Sequence, residues 1–421
     1  MQRMDQSAQP ESPYAWRRLA ASLALMTIGG SGMYAMSVAL TPVQGEFGIT
    51  RGDASLPYTL TTIGFGLGGI LMGKLADRVG VMVPVVVAAV SLGCGFVLAG
   101  LSANLWQFSL AHGVLIGLLG CSATFAPLVA DTSLWFNRRR GIAVAICASG
   151  NYLAGALWPP VMQFFFDAFG WRATYVGTGV FCIASMLALA LVLRPRPPAL
   201  ESTPHARTAS VHSTAPLALP PNVLMTLLVT SGIACCVAMS MPQVHIVAYC
   251  GDLGYGAARG AEMLSLMFGF GIVSRVASGW ICDRIGGLRT LLLGAVLQAI
   301  ALALFLPFDG LASLYVVSAL FGLFQGGLVP SYAIIVREHF APREAGMRVG
   351  IVFMATLLGM GLGGWLSGAL FDLTGSYRAA FVNGIAWSLA TLCIAAWLLA
   401  REASAARRGT QGLLPRGRQA D

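Results

Sequence analysis

The sequence predicts an all-α membrane protein, with twelve transmembrane helices in two pseudo-symmetric six-helix bundles. Three observations carry this. Apolar residues fill 57% of the 421 positions and charged residues only 10%, with a mean hydropathy of +0.75. Soluble chains hold about 25% charged residues. Twelve runs reach the length needed to span a bilayer, about 20 residues each. The second half of the chain repeats the first at a steady offset.

The spans fall, in order, near 18–43, 55–75, 81–101, 104–133, 140–165 and 173–193. Six more fall near 222–249, 262–282, 288–307, 311–336, 346–371 and 378–400. The segments between them alternate in charge. One side carries Arg17, Arg18, Lys74, Arg78, Arg138, Arg139, Arg140, Arg194, Arg196, Arg284, Arg289, Arg337, Arg343 and Arg348. The other has Arg51, Arg172, Arg259 and Arg378. By the positive-inside rule the first side is cytoplasmic. Both termini then lie inside, as an even number of helices requires. Topology thus accounts for the net charge of +9, and a nucleic-acid partner is rejected.

The chain divides into an N-terminal tail (1–17), a first bundle (18–193), a linker (194–221), a second bundle (222–400) and a basic tail (401–421). The linker is rich in Pro, Ser, Thr and Ala, a flexible composition. The basic tail is expected to meet anionic lipid. Arg17 and Arg18 before an apolar run mimic a signal peptide. That run is too long and lacks a clear cleavage site, so it reads as an uncleaved first helix. The nine cysteines lie within or at the edges of the apolar runs. Without a Cys-x-x-Cys or a Cys/His cluster of zinc spacing, they read as buried small hydrophobes. No metal or cofactor is expected.

The repeat is specific. Gly73, Asp77, Arg78 and Gly80 return at the same spacing as Gly279, Asp283, Arg284 and Gly286. Phe166, Asp167, Gly170 and Arg172 are echoed by Phe371, Asp372, Gly375 and Arg378. Trp135–Phe136 before Arg138–Arg140 is echoed by His339–Phe340 before Arg343. Six spans per repeat give both halves the same orientation. This is the parallel arrangement of one large transporter class, with a site between the halves near midplane.

Arg275 is the most informative single residue, a permanent cation within the eighth span. Such a charge costs about 2.5–3.5 kcal/mol on insertion scales and persists where it faces protein interior or water. Its neighbours three and four residues away are Gly271, Ile272, Ser278 and Gly279, a mostly small face that a ligand can approach. A guanidinium holds a carboxylate through two parallel hydrogen bonds. The alternative is snorkelling, from about 10 Å inside the helix end.

The paired loops Gly73–Gly80 and Gly279–Gly286 resemble the loop signature of the major facilitator superfamily. The likeness covers residues 15–400. It implies that Asp77, Arg78, Asp283 and Arg284 latch the halves on the cytoplasmic side. Topology-setting charge is the plainer alternative. Trp135–Phe136, the arginines after it, and the small residues up to Gly150 resemble the opening of the fifth helix in monocarboxylate transporters. Ala145 stands where that pattern prefers Gly, and the acidic-Gly-Gly-aromatic run of the first helix is absent. In that family and in the related oxalate/formate exchangers an arginine of the eighth helix holds the substrate carboxylate, a place Arg275 occupies. Gly271 stands where animal members carry an Asp. Pro242 to Gly254 resembles bacterial members, which carry a His near the outer end of the seventh helix.

Further candidates follow. His245 is the first choice for handling a proton, since imidazole titrates near neutral pH, and Pro242 loosens the helix before it. His112, midway through the fourth span, is a second choice. Packed structural histidines are the alternative for both. Asn151, Tyr152 and Tyr332 lie in regions that line the cavity in the family. Their polar tips suit a second carboxylate oxygen or a 2-hydroxyl or 2-keto group, and helix-to-helix contact is the alternative. Asp131 lies one to two turns before the Arg138–Arg140 run and reads, like Arg139, as a gate residue, in an ion pair there; proton carriage is the alternative. Gly64 to Gly69 and Gly359 to Gly364 spell a dinucleotide fingerprint, but no strand precedes either, so both read as close helix packing.

The expectation is a secondary carrier of a small monocarboxylate of the lactate or pyruvate type, coupled to a proton, monomeric, in a bacterial inner membrane. Anion exchange and export of drugs or organic anions are the rivals. A dicarboxylate would want a second membrane cation. A membrane sensor would carry an added domain or long tail. No nucleophile–base pair, metal cluster or phosphate loop supports an enzyme.

Overall fold

Water is absent from a bilayer core, so each apolar run must satisfy its own backbone, which a helix does. The computed structural model describes residues 11–136, 138–195 and 219–412. Twelve spanning helices follow the twelve runs. The first half holds α1 (Pro13–Phe47), α2 (Arg51–Val79), α3 (Met82–Gly100), α4 (Leu105–Trp135), α5 (Ile142–Phe169) and α6 (Trp171–Leu193). The second holds α7 (Pro221–Asp252), α8 (Ala257–Ile285), α9 (Gly287–Leu304), α10 (Leu311–His339), α11 (Met347–Thr374) and α12 (Tyr377–Ala405). The linker positions 196–218 and the ends of both tails lie outside the described residues.

Local chemistry sets the helix ends. Ser12 accepts from the Ala15 N–H, Thr50 from Asp53 and Asn104 from Gln107, each a side-chain cap on a first turn. The repeated loop motif has a conformational basis. Gly80 (φ 87°) and Gly286 (φ 85°) end α2 and α8 in a region that other residues avoid. The last helix continues to Gly412, so the chain beyond Ala400 starts as helix where a tail is expected.

Several spans are interrupted. Helix α1 breaks at Gly30, between Pro13–Gly29 and Ser31–Phe47. Helix α4 passes through a wide turn at Ala111–Gly120 and a tight one at Cys121–Thr124. Helix α10 is split at Gly326 and Gly327 into Leu311–Gln325 and Leu328–His339.

The halves meet through α2 with α11, α5 with α8, and the second segment of α1 with α7. Because twelve is even, α1 begins and α12 ends at one end of the bundle, the terminal end. The opposite end is closed. There Arg51 of α2 pairs with Asp252 of α7 and donates to the Tyr377 hydroxyl of α12 at 3.2 Å. Deeper, the Thr59 hydroxyl donates to the Gly361 carbonyl at 2.8 Å, and a Cβ on Gly66 would come 2.8 Å from the Met354 sulfur. Toward the terminal end the contact is lost. A Cβ on Gly69, Gly73, Gly279 or Gly350 would meet nothing within 4 Å.

The glycine runs are packing surfaces. Gly64 and Gly68 lie against the α4 backbone, and Gly359 and Gly363 against α7. Gly361 and Gly364 lie against Thr62 and Tyr58 of α2.

Candidate functional site

Arg275 lies where the closed and open parts of the seam meet. Helix α8 continues ten residues beyond it to Ile285, about 15 Å of helix rather than the shorter distance taken from the sequence. The half-buried guanidinium lies over the Tyr152 ring of α5, its carbon 4.1 Å from the centroid. Its Nε is buried and has no hydrogen-bond partner among the described residues. Its charge is not met by an ion pair among the described residues.

Around this cation the two halves build an aromatic seam. Gly271, one turn before Arg275, leaves room for Tyr152, since a Cβ there would come 2.5 Å from the ring. Tyr152 meets Phe268 edge-on at 5.7 Å, and Tyr34 of α1 meets the same Phe268 at 4.6 Å. The Tyr34 hydroxyl donates to Asn151 Oδ1 at 3.3 Å. The Ser265 hydroxyl donates to the Ala156 carbonyl just beyond, tying α8 to α5. Arg275, Tyr152 and Asn151 are therefore neighbours. Tyr34 and Phe268 join them without having been singled out from the sequence, because an aromatic in an apolar run carries no mark of which face it occupies.

The other predicted residues lie elsewhere. Tyr332 is fully buried inside the second half, its hydroxyl 2.9 Å from Ser231 Oγ. Its hydroxyl is taken up by α7 rather than by the Arg275 seam. His245 is also fully buried, toward the closed end. Its Nε2 lies 2.8 Å from the Gly364 carbonyl and its Nδ1 3.0 Å from the Tyr377 hydroxyl. One tautomer satisfies both contacts, with Nε2 donating and Nδ1 accepting. His112 is buried within the first half, 3.3 Å from the Thr61 hydroxyl and 3.3 Å from the Tyr175 hydroxyl.

The predicted gate residues also separate. Asp131 forms an ion pair, but with Arg18 rather than with Arg139. Arg18 Nε and Nη2 reach its two oxygens at 2.8 and 2.9 Å, both residues nearly buried. Arg18 also donates to Tyr14 and to the Pro195 carbonyl. Arg18 belongs to α1 and Asp131 to α4, both of the first half, so this pair ties α1 to α4 and not one half to the other. Arg139 is exposed, and its backbone N–H donates to Glu11 at 2.8 Å. Asp77, Arg78, Asp283 and Arg284 are exposed at the terminal end, and none makes an ion pair among the described residues. Arg284 lies over Trp280 on its own helix. The charged contacts that do join the halves, Arg51 with Asp252 and Asp372, were not singled out from the sequence. Asp372 stood in the repeat, Arg51 among the four arginines of one side and Asp252 within the Pro242–Gly254 segment, but nothing joined them.

Two six-helix halves, meeting around a cation without an ion-pair partner among the described residues and open at one end of the seam, define a membrane transporter. The chain belongs to the major facilitator superfamily, in its monocarboxylate transporter-like branch. The Major Facilitator Superfamily model matches residues 20–313 and 265–416. Monocarboxylate transporter 13 of Rattus norvegicus is 31% identical over 347 residues, 80% of this chain and 77% of that one. The agnestins efflux protein of Paecilomyces divaricatus is 23% identical over 333 residues, 79% and 74% of the two chains. Among solved structures, a bacterial homologue of the lysosomal transporter Spinster, inward-facing and occupied, superposes with a TM-score of 0.66. It is 17% identical and covers 94% of this chain and 98% of its own, a likeness of fold.

Proposed function

We propose that this transporter carries a small monocarboxylate of the lactate or pyruvate kind together with a proton, by alternating access. The observation that carries the reading is the unpaired Arg275 guanidinium on Tyr152, at the head of the open part of the seam. A carboxylate arriving there meets a planar donor fork with a free N–H. A proton travelling with the anion keeps the translocated unit neutral, avoiding about 2.3 kcal/mol per charge per 100 mV. Residues 18–193 rock against 222–400. With both termini in the cytoplasm of a bacterial cell, the open end faces inward. Asp77, Arg78, Asp283 and Arg284 then latch that end in the opposite state. His245, on the closed side, is the proton candidate.

The test is uptake of labelled lactate, pyruvate, acetate and oxalate into liposomes holding the purified protein, with and without an inward proton gradient. Arg275→Ala abolishes monocarboxylate uptake while folded protein remains in the membrane. Unchanged uptake by that variant ends the assignment. Uptake that ignores the gradient and needs internal anion identifies an exchanger instead. Likeness to an efflux protein favours export of an organic anion as the second reading. Substrate accumulation against the gradient in inverted vesicles distinguishes it.

A further inference from the structure

Four buried side-chain nitrogens lack a hydrogen-bond partner among the described residues: those of Trp135, Arg275, Gln325 and His339. Trp135 and His339 end their helices at the terminal end. The other two belong to helices that touch at midspan. Gln325 is the last residue of α10 before its break and is 1% exposed. Its Oε1 accepts from Gln243 Nε2 of α7 at 3.0 Å, and its own Nε2 donates to nothing. Buried amides normally satisfy both ends, so a free one calls for a partner.

The place of the break says where that partner would lie. A Cβ on Gly322 would come 2.1 Å from the Met267 carbonyl, and one on Gly326 2.6 Å from the Gly271 carbonyl and 2.9 Å from Ser274 Oγ. A Cβ on Gly327 would come 2.0 Å from Ser278 Oγ. Residues 322–327 of α10 thus run in contact along 267–278 of α8, the stretch that carries Arg275. Gln325 is adjacent to Gly326, and Arg275 is adjacent to Ser274. The two orphan donors therefore flank one helix contact. Gln243 keeps the free end of Gln325 from rotating, because it already holds the other end.

We infer that Gln325 is a specificity-determining residue, donating an amide N–H to the oxygen on carbon 2 of a 2-hydroxy or 2-oxo monocarboxylate whose carboxylate rests on Arg275. This rests on the carboxylate reading above and adds to it the recognition of the neighbouring oxygen. A pocket built around a hydrogen bond discriminates strongly against an analogue that lacks the partner atom. Unsubstituted short acids are then weaker substrates than their 2-oxygenated counterparts.

The experiment compares lactate, pyruvate and propionate in the same proteoliposomes. Propionate has the carboxylate but no oxygen on carbon 2, so it reports on Arg275 alone. Gln325→Met keeps the length of the side chain and removes the donor. Its KM for lactate and pyruvate rises about tenfold or more while that for propionate moves less than about twofold. Equal changes for all three acids, or none, overturn the assignment. Monodisperse elution in detergent is checked first. Should Gln325→Met fail it, Gln325→Leu is assayed with the same two outcomes. Failure of the underlying reading looks different, since propionate uptake would then survive Arg275→Ala.

Discussion

Asp372, at the end of α11, accepts the backbone N–H groups of both Arg51 and Gly52, at 2.8 and 2.7 Å. One carboxylate from the second half therefore caps the first turn of α2 in the first half. A negative charge there also meets the positive end of the helix dipole. Its repeat counterpart does nothing similar. Asp167 accepts from Gln163 of its own helix, and α8, preceded by Gly256, has no side-chain cap at its start. The pseudo-symmetry of the sequence is broken where one end of the seam is held shut.

Asp372→Asn removes the charge from this contact and opens the sealed end. Hydrogen bonds to a charged group contribute about 1.5–3 kcal/mol, or about 10- to 100-fold in the balance of closed and open states. Ser55, one turn along α2, is 0% exposed and makes a sensitive reporter. Alkylation of Ser55→Cys by a charged maleimide added at that face accelerates at least about tenfold in the Asp372→Asn background. An unaltered rate would remove Asp372 from the closure. Asp252→Asn has the smaller effect, below about threefold, because the Asp252 side chain is 36% exposed and screened by solvent.

This contact also marks how far the sequence could be read. Apolar runs delimit all twelve helices because a lipid core demands continuous helix, and the repeat reveals the two halves. Arg275 stands out because a fixed charge in an apolar run is rare. What could not be read is pairing. His245 was visible as a titratable group near one end of α7, yet its partners Gly364 and Tyr377 come from α11 and α12. Tyr332 lay in the expected helix, but the partner of its hydroxyl, Ser231, comes from α7. Gln325 carries no charge and lies outside the segments that carry the resemblance, so nothing in the sequence marked it.

Arg18 and Asp131 make a second test, of stability rather than transport. Arg18 is 2% exposed, so losing Asp131 leaves a buried guanidinium without its counter-charge. That costs about 3–5 kcal/mol, whereas replacing both partners with apolar residues of similar size costs little. Asp131→Ala therefore lowers the melting temperature in detergent sharply. The double variant Arg18→Met with Asp131→Leu recovers most of the loss. Because neither residue contacts the side chains around Arg275, KM for substrate stays within about twofold in the double variant. A large rise in KM with stability unchanged would instead make the pair a gate.

On the proposed reading, the Tyr152 ring that lies under the Arg275 guanidinium positions it for the substrate carboxylate. The ring face under the guanidinium contributes about 0.5–2 kcal/mol and limits where the fork can point. Tyr152→Phe keeps a ring face and leaves monocarboxylate KM nearly unchanged. Tyr152→Leu removes the face and raises KM about 3- to 30-fold, the range that this energy implies. The same result is expected from the opposite helix. A Cβ at Gly271 would come 2.5 Å from the Tyr152 ring, so Gly271→Ala must push the ring aside. If the ring acts by holding Arg275, Gly271→Ala and Tyr152→Leu raise KM alike, and combining them adds little. Fully additive effects would show two independent contributions and dissolve the link between ring and cation.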